Sequence, residues 1–379
     1  MLTRLLTRGG HDVNVVMTEA ATRFVTPLTL ATLTGNPVSS DMWKDPHSPA
    51  VEHIALAEHA DAAVVAPATA NIIGKLASGI ADDMLSTVFT AVTCPVLVCP
   101  SMNVNMFRNR IVQANLERLT AAGYQIMQPE AGWLACGWTG QGRMPEPDAI
   151  AWEIERMITP ADLRGERILV TAGRTEEPLD PIRFLTNRSS GKMGTAVARR
   201  AALRGADVTL VAGPMSVGPP NGVKHIPVRT ASEMHAGVME LFPDATVVIK
   251  AAAVADFRPA QEQAEKIKKE DAALTIDLVK NIDILHALGQ QKSREQILVG
   301  FAAETRDVLA NGRKKMKEKN LDLLALNDVS QVGAGFDYDT NIVRFLHRSG
   351  KEEQMEIMPK DKVADLILDR VKAIRLGLV

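Results

Sequence analysis

The octet Asn187-Arg188-Ser189-Ser190-Gly191-Lys192-Met193-Gly194 follows the apolar run Ile168-Leu169-Val170-Thr171-Ala172-Gly173 and opens a helix-like stretch reaching about Arg204. A strand, a Ser/Gly turn with a basic residue and then a helix is an order that presents backbone N–H groups to phosphate oxygens. The spacing fits neither the Walker A pattern nor Gly-x-Gly-x-x-Gly, and taken alone the octet is equally a structural strand-to-helix turn. Its surroundings weigh on the phosphate side. Short β-branched runs at 168–171, 208–212, 247–251, 297–300 and 323–326 alternate with helical stretches, which predicts a parallel sheet covered by helices. Basic clusters follow two of these runs: Lys266, Lys268 and Lys269 after 251–256, and Lys314, Lys315, Lys317 and Lys319 after 300–305. Each cluster alone reads as a solvated charge run. Two of them beside a Ser/Gly turn favour a polyphosphate site. Asp256, at a strand end, either holds a ribose hydroxyl or caps the next turn.

The first half repeats the plan. Strands are expected at 13–17, 63–66 and 96–99, each ending in a polar or Pro-containing turn: Thr18-Glu19, Pro67-Ala68-Thr69-Ala70-Asn71 and Pro100-Ser101-Met102-Asn103. In open α/β sheets ligands lie beyond the carboxyl ends of the strands, where these turns fall. Asn103 and Asn105, with Met102 and Met106, offer amides and thioethers, groups that meet carboxylates or flavin edges without adding charge. His53, in Val51-Glu52-His53-Ile54, reads first as a packed or surface histidine. Between the halves come a Pro-rich turn at 142–147, a helix at 148–157 and Thr159-Pro160, which places a boundary near 162. A hairpin is expected from 341–347 and 353–358 around Arg348-Ser349-Gly350-Lys351, and an amphipathic helix over 361–374 closes the chain.

Composition narrows the function classes. A chain of 379 residues accommodates two domains; 46% hydrophobic and 23% charged residues are ordinary for a globular protein. A net charge of −2 makes no case for nucleic-acid binding, and no apolar run approaches a membrane span. The first eight residues are too short and polar for a signal peptide. Cys94, Cys99 and Cys136 form neither a disulfide framework nor a zinc site, so buried thiols are expected at 94 and 99 and a cytoplasmic location follows. Cys136 lies in the Gly-rich run Ala135-Cys136-Gly137-Trp138-Thr139-Gly140-Gln141-Gly142, which suggests a flap whose thiol reaches a ligand.

In order along the chain, these segments resemble the bifunctional phosphopantothenoylcysteine decarboxylase/phosphopantothenate–cysteine ligase family of bacterial coenzyme A synthesis. The motifs are Ala66-Pro67-Ala68-Thr69-Ala70-Asn71, Pro100-Ser101-Met102-Asn103, Ala135-Cys136-Gly137 with Gly142-Arg143-Met144, and the segments 187–194, 251–256, 266–269 and 300–305. Each is weak alone; the ordered series is specific and spans nearly the whole chain. The resemblance implies two doubly wound α/β domains. Residues 1–162 would be a flavodoxin-like FMN domain that decarboxylates phosphopantothenoylcysteine to phosphopantetheine. Residues 163–379 would be a Rossmann-like ligase using CTP and Mg2+ to join cysteine to phosphopantothenate through an acyl-cytidylate.

It also implies roles. Thr18, Thr69 and Asn71 would line the flavin; His53 would be the catalytic base or orienting group, Asn103 would hold the departing carboxylate, and Cys136 would deliver a proton. In the ligase, Asn187 would contact the acyl-cytidylate, Arg183 would receive an anionic part of the substrate, and Lys266 would be the catalytic lysine. Lys250, Ala251, Ala252, Asp256, Ile282, Asp283, Ile284, Leu285, Phe301, Lys315 and Lys319 would enclose the CTP. No magnesium ligand is named. Flavin-domain trimers joined by ligase dimers are the implied assembly. Two departures stand out: the chain opens in what reads as a helix, so the family's first strand and Gly-rich turn are expected to be missing, and Ala55 replaces a frequent acidic residue. A second reading keeps only the ligase active, with the first half an oligomerising scaffold.

Overall fold

In the computed structural model, residues 1–378 are described apart from 44–51, 134–136, 138, 269–273, 305–307, 329–334, 336 and 337. Two compact units result, Met1–Thr159 and Pro160–Val379.

The first unit carries the parallel pair β1 (Val15–Val16) and β2 (Val38–Ser39), and a parallel sheet of β3 (Ala63–Ala68), β4 (Val96–Pro100) and β5 (Gln125–Ile126) in the order β3-β4-β5. β4 is buried along its whole length, as its unbroken Val-Leu-Val-Cys run requires for a strand covered on both faces. Ile72, Ile73, Val88, Phe89, Leu116 and Leu119 pack on one of its faces; Leu6, Ile150 and Ile154 pack on the other. An antiparallel ribbon of β6 (Glu130–Trp133) and β7 (Thr139–Arg143) follows. The expected strand at 13–17 is only two residues long.

The second unit is built on β8 (Arg167–Ala172). A small antiparallel ribbon, β9 (Glu176–Pro178) with β10 (Phe184–Thr186), comes next. Then come β11 (Asp207–Ala212), β12 (Lys224–Pro227), β13 (Val247–Lys250), a second ribbon of β14 (Phe257–Pro259) with β15 (Leu278–Lys280), β16 (Ile297–Glu304) and β17 (Leu323–Asp328). β18 (Thr340–Asn341), β19 (Val343–His347), β20 (Glu352–Gln354) and β21 (Met358–Pro359) complete it. The main sheet has eight strands in the order β12-β11-β8-β13-β16-β17-β19-β20; it is parallel through β17 and antiparallel beyond. The helices Lys192–Leu203 and Lys360–Arg375 cover one face through Val197, Ala201, Val363, Ile367 and Val371, and the helices Ala231–Leu241 and Ile284–Gln291 cover the other.

The octet does not follow its strand directly, as the sequence suggested. The β9–β10 ribbon stands between β8 and the octet, and the helix begins at Lys192, with Gly191 as its N-cap at φ 78°. Gly194 lies against β8: a Cβ there would come within 2.6 Å of the Ala172 Cβ and 2.8 Å of the Thr171 carbonyl oxygen. The strand order turns back at β8, whose neighbours are β11 on one side and β13 on the other. Beyond the carboxyl ends of β8 and β13 lies the crevice that doubly wound sheets use for ligands.

Candidate functional site

At that crevice the chain after β13 is held by hydrogen bonds from β8 and its extension. The Ala251 N–H donates to the Thr171 carbonyl (3.2 Å), Ala252 N–H to Thr171 Oγ1 (3.2 Å), Ala253 N–H to the Gly173 carbonyl (2.9 Å) and Ala255 N–H to Thr175 Oγ1 (3.0 Å). Asn187 meets this segment from the other side, its Nδ2 donating to the Val254 carbonyl at 3.0 Å and lying 3.5 Å from that of Ala253. Asn281 closes it, donating Nδ2 to the Ala255 carbonyl (2.8 Å) and its backbone N–H to that of Asp256 (2.9 Å). Thr171, Thr175 and Asn281 escaped the sequence reading. Polar residues beside a strand end are a signal too common to single them out.

Charge gathers at the same edge. Asp283 caps the helix Ile284–Gln291, accepting from His286 N–H at 3.1 Å, and its other oxygen lies 2.7 Å from Lys319 Nζ. Burial alone would raise the Asp283 carboxyl, but Lys319 and the His286 amide hold it below its ordinary value. Lys250, at the end of β13, is half-buried; desolvation and the charges of Lys319 and Lys315 push its amine down to about 8, against a pull from Asp283 and Asp256. An anionic ligand there would offset the repulsion from Lys319 and Lys315 and favour the charged amine. Ile284 and Leu285 are core residues, so their contribution to a ligand is confined to first-turn amides. Phe301 is partly buried against the core and Ile282 is exposed. Of the lysine clusters, Lys315 and Lys319 turn inward, whereas Lys314 pairs with Glu318 on the surface. Lys192, the basic residue of the octet, pairs with Asp339 at 2.7 Å.

Lys266 lies in the exposed segment between β14 and β15; Lys269 lies outside the described residues. Arg183 is partly exposed and tied to the chain around it. Its Nη2 donates to the Ile267 carbonyl at 2.8 Å, and its Nε lies 3.6 Å from Asp180. Asp180, buried and missed in the sequence, was signalled only by the turn dipeptide Asp180-Pro181.

In the first unit the turns after β3 and β4 are joined by Ser101 N–H donating to the Ala68 carbonyl (2.9 Å). Thr69 caps the helix Ala70–Ser78 without a side-chain cap bond, so its hydroxyl is not spent there, and Asn71 is exposed beside it. Asn103 caps the next short helix, accepting from Asn105 N–H at 2.8 Å. The flap base is docked on this turn: Met102 N–H donates to the Gly142 carbonyl (3.0 Å), and a Cβ at Gly140 would meet Val104 Cγ2 at 2.8 Å. Cys136, between β6 and β7 in sequence, lies outside the described residues. Thr18 caps its own helix by accepting from Ala21 N–H (3.2 Å). His53 is half-buried on the helix Glu52–Glu58, which is tied to the end of β2 by a hydrogen bond from Ser39 Oγ to Glu52. The turns thus offer hydroxyls and amides without fixed charge, a donor set that fits the polar edge of a flavin. Of the other thiols, Cys99 is buried, which pushes it up to about 12, and Cys94 is only half-buried.

Fold and site together define a two-unit α/β enzyme, each unit presenting its polar groups beyond the carboxyl ends of parallel strands. Residues 1–159 match the family model described as Flavoprotein, and residues 163–374 match that described as DNA/pantothenate metabolism flavoprotein C-terminal domain. The chain is 46% identical over 377 residues to the coenzyme A biosynthesis bifunctional protein CoaBC of Bacillus subtilis, covering 98% of this chain and 93% of that one. It is 43% identical over 374 residues to the protein of that name from Escherichia coli, covering 98% and 92%. A crystal structure of the C-terminal domain of such a protein covers 56% of this chain and 97% of its own, at 39% identity and a TM-score of 0.49. The chain belongs to the CoaBC family of bifunctional coenzyme A biosynthesis enzymes. Similarity along both units favours two activities over the ligase-only reading.

Proposed function

We propose that residues 163–379 ligate cysteine to 4'-phosphopantothenate at the expense of CTP, and that residues 1–162 decarboxylate the product to 4'-phosphopantetheine. The observation that carries the ligase reading is the meeting of Asn187, the 251–256 segment, Lys250 and the Lys319–Asp283 pair at the strand-order reversal. The phosphopantothenate carboxylate attacks the α-phosphorus of CTP, expelling pyrophosphate and leaving an acyl-cytidylate. The cysteine amine then attacks the acyl carbon, losing a proton and expelling CMP. Such chemistry depends on positioning and charge neutralisation. Lys250, Lys315 and Lys319 supply cations at the triphosphate, Asp256 meets the ribose, the Asn187 amide faces the acyl-cytidylate, and Lys266 meets the charge that develops at the reacting centre. No group of three or more His, Cys, Asp or Glu side chains that could hold a metal ion occurs among the described residues. Magnesium would reach the site with the triphosphate, and Asp256 and Asp283 are carboxylates close enough to Lys250 to act on its charge.

In the first unit Thr18, Thr69 and Asn71 would hold FMN, which supplies two-electron oxidation and reduction when bound. His53 orients or deprotonates the thiol-bearing end of the substrate, Asn103 donates to its carboxylate, and Cys136 returns a proton. Self-association is supported by apolar side chains exposed on and beside the two ribbons, Ile182, Phe184, Phe257, Leu278, Val279 and Ile282. A ligase dimer would cover them, and trimers of the first unit would complete the particle. No helix among the described residues is long and apolar enough to cross a membrane. A cytoplasmic enzyme is consistent with the free thiols at Cys94 and Cys99.

The test is pyrophosphate release from CTP, which should require both phosphopantothenate and cysteine for turnover to CMP. Lys266→Gln should slow it at least ~100-fold, the scale of one transition-state charge contact. A variant with wild-type turnover would remove Lys266 from the mechanism, and absence of CTP binding by calorimetry would remove the ligase reading.

A further inference from the structure

The turn of the β9–β10 ribbon grips the segment that carries Lys266. Asp180 Oδ1 accepts from the backbone N–H groups of Ile182 and Arg183, both at 2.8 Å, which shapes the turn. Asp180 Oδ2 accepts from Ile267 N–H at 3.2 Å. The Arg183 guanidinium donates to the Ile267 carbonyl at 2.8 Å, and Gln263 N–H donates to the Leu179 carbonyl at 3.0 Å. Both polar groups of Ile267 are thus held from one side, directly after Lys266. Asp180 has no exposed side-chain surface. Burial favours its neutral form, but the three amides outweigh it and hold the carboxyl below its ordinary value, so the acceptor stays ionised.

The same ribbon ends at Thr186, whose hydroxyl donates to the Thr175 carbonyl at 2.7 Å, and the next residue is Asn187, bonded to Val254. One short ribbon therefore sets Asn187 at its base and the Lys266 segment at its tip. Lys266 is exposed on a segment without helix or strand, and a lysine carries four rotatable bonds. Without an external hold the backbone that carries it would add its own freedom to that of the side chain. A misplacement of about 1 Å at a reacting centre costs up to ~100-fold in rate.

We infer that Asp180 and Arg183 are positioning residues for Lys266, acting through the Ile267 peptide, and that Arg183 serves the reaction by holding this segment rather than by receiving the substrate's anion. The inference rests on the ligase reading and on Lys266 as its charge contact. It is tested with the full chain by Asp180→Asn, Arg183→Met and Lys266→Gln. Steady-state kinetics would be combined with amide hydrogen exchange of the peptide spanning 263–268. Asp180→Asn removes the anionic acceptor, and Arg183→Met removes the bond to the Ile267 carbonyl together with the long ion pair to Asp180, while the backbone amides of residues 182, 183 and 267 still reach Asp180. Both should lower kcat, by roughly 10- to 100-fold for the first and about 10-fold for the second, with KM for CTP and phosphopantothenate within about 3-fold of wild type. Both should speed exchange at Ile267. Lys266→Gln should lose activity with exchange unchanged.

If Arg183→Met instead raises KM for phosphopantothenate at constant kcat, Arg183 binds substrate and the inference is overturned. It is equally overturned if both variants exchange and turn over as wild type while Lys266→Gln is inactive. Full activity of Lys266→Gln refutes the underlying assignment rather than the clamp. Should Asp180→Asn not fold, as calorimetry would reveal, Arg183→Met decides alone.

Discussion

Gly194→Ala pits helix propensity against close approach, and Gly237→Ala provides the comparison within the same unit. Both glycines lie in helices, Lys192–Leu203 and Ala231–Leu241, so alanine gains up to about 1 kcal/mol of propensity at each, less in the first turn where Gly194 sits. The surroundings differ. At Gly237 the nearest atom to an added Cβ is Val211 Cγ1 at 3.7 Å, an ordinary contact. At Gly194 the added carbon meets the Ala172 Cβ at 2.6 Å, the Thr171 carbonyl oxygen at 2.8 Å and the Ala172 Cα at 3.0 Å. These atoms belong to a central strand and cannot rotate aside, so the start of the helix must shift away from β8. Overpacking of this kind costs about 1–3 kcal/mol, leaving Gly194→Ala destabilised by roughly 1–2 kcal/mol after the propensity gain. In a unit of this size about 1 kcal/mol moves the midpoint by roughly 2–4 °C. Scanning calorimetry should therefore show the second unit melting about 2–8 °C lower in Gly194→Ala and unchanged to about 4 °C higher in Gly237→Ala. Equal midpoints for the two variants would refute the close-approach reasoning.

Lys250→Met should raise the melting temperature at pH 7 while slowing CTP-dependent pyrophosphate release. The folded value of about 8 lies below the ordinary 10.5, so the penalty of a desolvated ammonium is full below pH 8 and fades as pH rises to about 10.5. A lower midpoint for the variant at pH 7 would contradict it. Asp162 is held at about 2 by Arg204 first and Lys372 second, so its stabilisation is present above about pH 4 and is lost as pH falls toward 2. That shift is worth roughly 2.5 kcal/mol unscreened, and partial exposure reduces it to about 1 kcal/mol. Asp162→Asn should lower the midpoint at pH 7 by roughly 2–4 °C, the gap closing in acid; a gap constant from pH 7 to pH 3 would exclude this linkage. Cys136→Ser should release carbon dioxide from phosphopantothenoylcysteine and bleach the flavin yet stall before phosphopantetheine, and a full yield of product would take the proton-donor role away from Cys136.

Much of the second unit was legible because each of its five central strands is an apolar run bounded by turns, and buried parallel strands admit little else. The helix after the octet was legible to within a residue of its end, since Ala, Val and Leu at helical spacing mark a core-facing stripe. The β9–β10 ribbon was not, because three-residue strands are too short to display a period of two. The lysine clusters divide the same way. Positions four apart share a helix face, so Lys315 and Lys319 belong together on sequence alone, but only packing brings Lys319, one residue past the helix end, to Asp283.

Local chemistry and periodicity set the α/β plan, the turns beyond the strand ends and the family, because those signals are written within a few residues of one another. Tertiary structure decided which polar groups remain for a ligand. Lys192 is drawn to Asp339, 147 positions away, Arg183 is bound to the Ile267 carbonyl 84 positions away, and the Asn187 amide is set on Val254 67 positions away. Hydrogen bonds and ion pairs form between groups that folding brings within about 3 Å, and no spacing along the chain records that distance.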